Sequence, residues 1–277
     1  MYQNYRPLGT SVIPTVVKNL MIINGLAFMA SLLFMSRGWG DLTDHLGLFF
    51  PSSTHFRPYQ FISHIFMHGS FSHLAYNMFS LWMFGSLLEN YWGPKRFLTY
   101  YVITGLGAAM LYLGVNAYEV AQIKSAIAEY MANQSYEQMS VLLKQDPLLM
   151  YKDGIAELMS AWYSDPQNPK YLEAGKEIAD AILLRKINTP MVGASGAVFG
   201  LLIGNAVLFP NREIFLFFFP FPIKIKWLVL VLGGMELYDG LGNNPMDNVA
   251  HFAHLGGMLI GFLLIKYWNK TDRNSFY

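Results

Sequence analysis

Three polar clusters sit within otherwise apolar runs, and their residue types could do chemistry. The first is Gly193-Ala-Ser195-Gly196, where small neighbours would leave a hydroxyl open to a substrate carbonyl. Serine in an apolar helix also commonly bonds its own backbone one turn back, so this motif alone does not make a nucleophile. The second cluster is His251-Phe-Ala-His254-Leu-Gly-Gly257. Its two histidines are three apart and share a helical face. A buried histidine beside a serine in a water-accessible pocket is a candidate general base. His254 lies deeper and directly precedes Leu255 and the glycine pair, which favours it as the base, with His251 at the rim. The third cluster, His73-Leu-Ala-Tyr-Asn77, places a ring N–H and an amide donor four residues apart on one face. With the Ser195 backbone N–H they could hold an oxyanion. They could equally bond neighbouring helices as interhelical polar contacts.

The elements that must position these clusters read as membrane spans. Of the 277 residues, 53% are hydrophobic and 13% charged, against about 25% charged in a soluble domain. Mean hydropathy is +0.29. A spanning helix needs roughly 20 mostly apolar residues. Six stretches qualify or nearly do: Val17 to Met35, His73 to Trp92, Phe97 to Val115, Gly193 to Phe209, Ile223 to Tyr238 and Val249 to Trp268. Small residues recur every fourth position at Gly196, Gly200 and Gly204, and again at Ala253, Gly257 and Gly261. Two such rows predict close packing of spans four and six. Ser195 and the span-six histidines then fall at one depth, in the first turn or two of helices running the same way. A polar or ionisable side chain in a span costs several kcal/mol, so each is a functional candidate.

Basic residues set the expected orientation. With the N-terminus inside, the inner flanks hold Arg6, Lys18, Lys95, Arg96, Arg212, Lys224, Lys226, Lys266, Lys270 and Arg273, and the short outer loops only Arg37 and Arg57. Both termini are therefore expected in the cytosol, and the first span is expected to stay in the membrane rather than be cleaved as a signal. The organisation read from the sequence is a cytosolic segment 1–16, spans over 17–115, an insertion over 116–190, spans over 191–268 and a cytosolic tail 269–277. The insertion holds ten acidic and seven basic residues, with Val120, Ile123, Ile127, Tyr130 and Met131 at helical spacing. Asp165-Pro-Gln-Asn-Pro169 breaks it. Two to four amphipathic helices outside the membrane are expected there, with no chemistry of their own.

Several functions are excluded. Net charge is +1, so nothing supports nucleic-acid binding. With no cysteine there is no disulfide framework, thiolate metal site or thiol nucleophile. His64-Ile-Phe-Met-His68 lacks the glutamate of a zinc protease helix. An aspartyl protease would need a second membrane aspartate beside Tyr238-Asp239, and Asn243 stands where it is sought. The polar residues cluster at one end rather than at the midplane, which disfavours a transporter.

The motifs resemble the rhomboid family of intramembrane serine proteases. The likeness runs from about Phe56 to Trp268, interrupted by the insertion. It rests on His68-Gly-Ser-Phe-Ser-His73-Leu-Ala-Tyr-Asn77, on Gly85-x-x-x-Glu89-x-x-x-Gly93, on Gly193-Ala-Ser195-Gly196 and on Ala253-His254-Leu-Gly-Gly257. It implies an all-α membrane protein, a six-helix bundle with an extramembrane helical insertion, carrying a Ser–His dyad. By it Ser195 is nucleophile, His254 is base, His73 and Asn77 help hold the oxyanion beside Gly193, and no aspartate completes a triad. It implies transmembrane protein substrates in a lipid bilayer, and no metal or cofactor. A bacterial inner membrane is the expected location. A family member without activity, binding or escorting membrane clients, is the alternative. Two features depart from the family pattern: Pro58-Tyr59-Gln60 stands where many members have Trp-Arg, and the insertion is long. Glu89 is expected to accept bonds from loop backbone or to pair with Arg96, away from the dyad.

Overall fold

The computed structural model describes residues 12–215, 221–242 and 250–274. Segment 1–11, Asn243, Val249 and the last three residues, which figure in the sequence reading, lie outside the described residues. Helix α1 (Thr15–Ser36) leads into a loop with two short helices, α2 (Thr43–Leu46) and α3 (Gln60–Ser63). Helix α4 (Phe71–Ser80) continues through a π turn, Leu81–Gly85, into α5 (Ser86–Trp92). After Gly93 comes α6 (Pro94–Asn133), then α7 (Tyr136–Leu143), α8 (Pro147–Met150), α9 (Ile155–Ser164) and α10 (Pro169–Ile187). Helix α11 (Ser195–Leu208) is joined by strands β1 (Glu213–Ile214) and β2 (Ile223–Lys224), an antiparallel pair, to α12 (Ile225–Leu241). Helix α13 (His251–Asn274) follows.

Each expected span falls on a helix: α1, α4 with α5, α6, α11, α12 and α13. Two of them, α1 and α6, are long and apolar enough to cross a membrane on that test alone. Helix α11 has 14 residues, about 21 Å at helical rise. The helix that carries the third expected span continues past Val115. Between Asn116 and Asn133 the sequence has neither glycine nor proline to stop a helix, so α6 runs on for 40 residues, about 60 Å. It stops where Gln134 turns left-handed, at φ 34°.

Helix α1 is built inside out. Asn24 and Ser31 are buried, donating to Leu20 O at 2.7 Å and Ala27 O at 3.1 Å, while Leu26, Met29 and Leu32 are exposed. Its first turn is closed by Glu89 of α5, whose carboxylate oxygens accept from Val16 N at 2.9 Å and Val17 N at 2.8 Å. Those N–H groups have no acceptor within their own helix, and the positive helix end favours the carboxylate. The expected backbone role for Glu89 is thus met by α1. A π turn shifts the hydrogen-bond ladder and frees carbonyls. Buried Asn205 of α11 reaches into this turn, donating to Phe84 O at 3.0 Å as well as to Leu201 O at 2.8 Å.

Helices α6, α11 and α13 form the packing centre. The two small-residue rows do not simply face each other. Gly196 and Gly200 take in Ala108 and Thr104 of α6, whereas Gly257 and Gly261 of α13 lie against the Gly196 and Gly200 carbonyls. A Cβ on Gly257 would overlap the Gly196 carbonyl oxygen. Tyr100 of α6 donates to Gly200 O at 2.8 Å, tying the third member to the same spot.

The insertion has its own hydrophobic core. Ile123 and Tyr130 of α6 pack with Met139, Leu142, Trp162 and Ile182. Asp165-Pro-Gln-Asn-Pro169 separates α9 from α10, and the Asn168 side chain caps α10 by accepting from Lys170 N at 3.1 Å. Arg185 pairs with Asp146 at 3.3 Å and Lys186 with Glu119 at 2.5 Å, linking α10 to the start of α8 and to α6.

Gly257→Ala is expected to force α11 and α13 apart. Overpacking of this kind costs about 1–3 kcal/mol and here meets rigid backbone. The unfolding midpoint in detergent should fall well below that of Gly234→Ala, whose Cβ would meet nothing within 4 Å.

Candidate active site

The loop that leads to Ser195 is held before its helix begins. Leu48 and Met191 exchange two backbone hydrogen bonds of 2.9 Å, and Gly193 N donates to His64 O at 2.9 Å. Gly193 has φ +120°, a region that favours glycine. A Cβ there would also stand 2.8 Å from the His73 ring. Both constraints explain why glycine precedes Ala194-Ser195. Ser195 is the first residue of α11, so its backbone N–H is among those without an intrahelical acceptor.

Ser195 Oγ and His254 Nε2 are 2.7 Å apart. They come from the first turns of α11 and α13, as the shared-depth argument expects. The His254 ring stacks on Phe199, centroids 4.3 Å apart and planes at 8°. Phe199 lies one turn after Ser195 on the same helix, so one face of α11 supplies both the hydroxyl and the plate that orients its partner. Beside them a narrow cavity is lined by His64, Val192, Gly193, Ser195, Ala250 and Ala253.

His73 packs against Gly193, and its ring meets that of His68 edge to face at 5.0 Å. Asn77 is buried and donates from Nδ2 to His73 O at 2.8 Å. That bond uses one of two amide hydrogens. His251 Nδ1 lies 2.7 Å from Glu236 Oε2 of α12. The same oxygen stands 2.8 Å from His254 Nδ1. It is an ion-pair distance with poor hydrogen-bond alignment, since that ring nitrogen completes no well-formed bond. A glutamate carboxylate therefore stands behind the histidine, a residue that the sequence reading did not single out. Glu236 lies three residues before Asp239, the acid weighed in the sequence for aspartyl protease chemistry.

The loop between α1 and α4 is organised by a residue the sequence reading noted only as a departure. Gln60 is fully buried; its Oε1 accepts from Arg57 N at 3.0 Å, and its Nε2 donates to His45 O at 3.0 Å and His55 O at 2.9 Å. Ser63 Oγ donates to Leu46 O at 2.7 Å. His64 follows, with Nδ1 2.7 Å from Gln60 O, and so this loop carries the carbonyl that holds Gly193.

A model of the rhomboid domain matches residues 55–126 and 155–270. The chain belongs to the rhomboid family. Rhomboids are integral membrane proteins, and the family acts on transmembrane substrates within the bilayer. The chain is 28% identical over 210 residues to "Rhomboid protein 1, mitochondrial" of Saccharomyces cerevisiae, covering 76% of this chain and 42% of that protein. It is 24% identical over 221 residues to "RHOMBOID-like protein 12, mitochondrial" of Arabidopsis thaliana, covering 79% and 48%. A 90-residue stretch is 40% identical to "RHOMBOID-like protein 4" of the same plant, covering 32% and 21%. The chain thus spans less than half the length of these relatives. The match passes over residues 127–154, within the unit that has its own core.

Burial pushes the His64 imidazole down to about 4 from 6.5, against the opposing pull of the Gln60 and Phe61 carbonyls. Folded His64 stays neutral where the unfolded residue already binds a proton. Its contribution to stability is complete above pH 6.5 and is lost as pH falls towards 4. Thermal midpoints measured across that window should drop with falling pH, and the slope should be shallower in His64→Gln.

Proposed function

We propose that this chain is an intramembrane serine endopeptidase that cuts transmembrane segments near the outer face of the membrane, using Ser195 as nucleophile and His254 as base. The observation that carries the reading is the 2.7 Å approach of Ser195 Oγ to His254 Nε2, in a ring clamped by Phe199. In this reading α1, α4–α5, α6, α11, α12 and α13 form six spans, and the 116–190 unit lies outside the membrane. Both termini face the cytosol of a bacterial inner membrane; the mitochondrial names of two relatives describe those proteins.

The chemistry follows from the groups present. Ser195 Oγ attacks the peptide carbonyl carbon while its proton passes to His254 Nε2. The developing oxyanion is held by the Ser195 backbone N–H at the positive end of α11, with His73 and Asn77 as side-chain donors and Gly193 leaving room beside them. His254 returns the proton to the leaving amine, and water then resolves the acyl-enzyme. The small residues lining the cavity favour small side chains before the cut. A helical peptide bond must unwind first, and unsatisfied backbone groups in hydrocarbon cost several kcal/mol each. Glycine or proline near the outer boundary lowers that cost by roughly 1–3 kcal/mol per residue. Substrates with helix breakers there are therefore cut in preference to all-leucine spans.

A fluorophosphonate probe is expected to label wild-type protein and to fail with Ser195→Ala and His254→Ala. Labelling absent from the wild type would favour a member that binds clients without cutting them. Asn77→Ala is expected to slow cleavage about 10- to 1000-fold if its amide holds the oxyanion.

The orientation has a separate test, made clean by the absence of native cysteine. Single cysteines replacing Ser140 and Asp165 should react with an impermeant maleimide on intact cells. Protection of both until lysis would reverse the orientation.

A further inference from the structure

Glu236 is the feature that the dyad reading leaves unused. Its side chain is 15% exposed, on a helix whose Leu230, Val231 and Leu237 are exposed apolar residues. A carboxylate in such a setting costs several kcal/mol unless partners compensate it. Two imidazoles do so here: His251 Nδ1 at 2.7 Å and His254 Nδ1 at 2.8 Å, both on Oε2.

These three donors lie within 4.8 Å of one another, which could suggest a metal site. Their spacing argues otherwise. Ligands about 2.0–2.1 Å from a tetrahedral zinc would stand about 3.3 Å apart. Contacts of 2.7 and 2.8 Å are too short for that, and they suit a carboxylate set directly against two ring nitrogens.

We infer that Glu236 is a positioning residue for His254, which makes the site a Ser195–His254–Glu236 chain. The inference rests on the reading of Ser195 as nucleophile. For Nε2 to take the serine proton, the neutral imidazole must keep its own proton on Nδ1. An acceptor-only carboxylate facing Nδ1 selects that tautomer. As the Oγ–carbon bond forms and the carbonyl electron pair moves to oxygen, the serine proton moves to Nε2. His254 is then an imidazolium, and Glu236 stays ionised opposite the new charge. The Nε2 proton leaves with the amine when the C–N bond breaks. A carboxylate oxygen has two lone pairs, so Oε2 can serve His251 and His254 together. His251 anchors Glu236 and does not touch the reacting atoms. The off-line approach to His254 Nδ1 fits a resting site, where such bonds tighten once substrate binds.

The test uses the full chain in proteoliposomes with a glycine-rich model span as substrate. Glu236→Gln keeps the size but can turn an NH2 towards Nδ1, favouring the wrong tautomer. It should lower kcat and the fluorophosphonate labelling rate by at least about 10²-fold, with KM and unfolding midpoint unchanged. Glu236→Asp keeps the charge, and should recover part of that loss. Nitrogen-15 shifts of the His254 ring should report the Nδ1–H tautomer in the wild type and its loss in Glu236→Gln. Wild-type kcat in Glu236→Gln, or an unchanged tautomer, would overturn the inference. If Glu236→Gln does not fold, Glu236→Asp decides: a reduced kcat supports the chain, and a wild-type kcat overturns it. A wild type that takes no fluorophosphonate would instead sink the protease reading, while the tautomer measurement still judges Glu236.

Discussion

The close approach of two backbones governs this molecule. Where Gly257 of α13 lies on the Gly196 carbonyl of α11, no side chain separates the helices. That contact fixes the distance between the residues next to it. Ser195 precedes Gly196 by one position and His254 precedes Gly257 by one turn. The 2.7 Å bond between their side chains is therefore a by-product of main-chain packing. In lipid this is a sound way to fix a site, because apolar side chains gain little by leaving hydrocarbon for one another and shape does the work. Helix α6 completes the arrangement by packing Ala108 and Thr104 against Gly196 and Gly200.

Polar groups then lock each joint that the packing leaves open. Glu89 closes the start of α1, Asn205 bonds a carbonyl within the π turn, and Tyr100 ties α6 to Gly200. Gln60 gathers the loop that supplies the His64 carbonyl to Gly193. Each of these side chains is buried and bonded to backbone, where an unmade bond costs about 1–3 kcal/mol. The candidate site sits where three such locked pieces meet: the 37–70 loop, the start of α11 and the start of α13.

Much of this was legible in the sequence because it is local. Ser195 between glycines, His254 before Leu255-Gly256-Gly257 and the apolar lengths of the helices all lie within single turns or single spans. The Asp165-to-Pro169 break was equally readable, since proline and an asparagine cap end and start helices by local rules. What escaped depends on pairs far apart in the chain. Nothing near Leu48 announces Met191, and nothing near Gln60 announces four loop partners. Phe199 could have been found by counting one turn from Ser195. Glu236 carried the clearest missed signal, an acid within an apolar run, a type of residue that is rare in a span without a partner. The helix of the third expected span runs on past Val115 because hydropathy marks where apolar residues stop, whereas a helix stops only where the backbone is told to.

That last point gives α6 a property of its own. One unbroken helix carries both the residues that pad α11 and those that found the insertion's core, Ile123 and Tyr130. The heading of the insertion around the bundle is thus a matter of helical phase. Each residue added to or removed from α6 between Val115 and Val120 would swing that unit by about 100° and shift it by about 1.5 Å along the axis. Changes of seven residues, close to two full turns, would nearly restore its heading while changing its height. Length in this stretch is therefore a compass setting, and a chain altered there by one or two residues would point its insertion in a different direction over the same bundle.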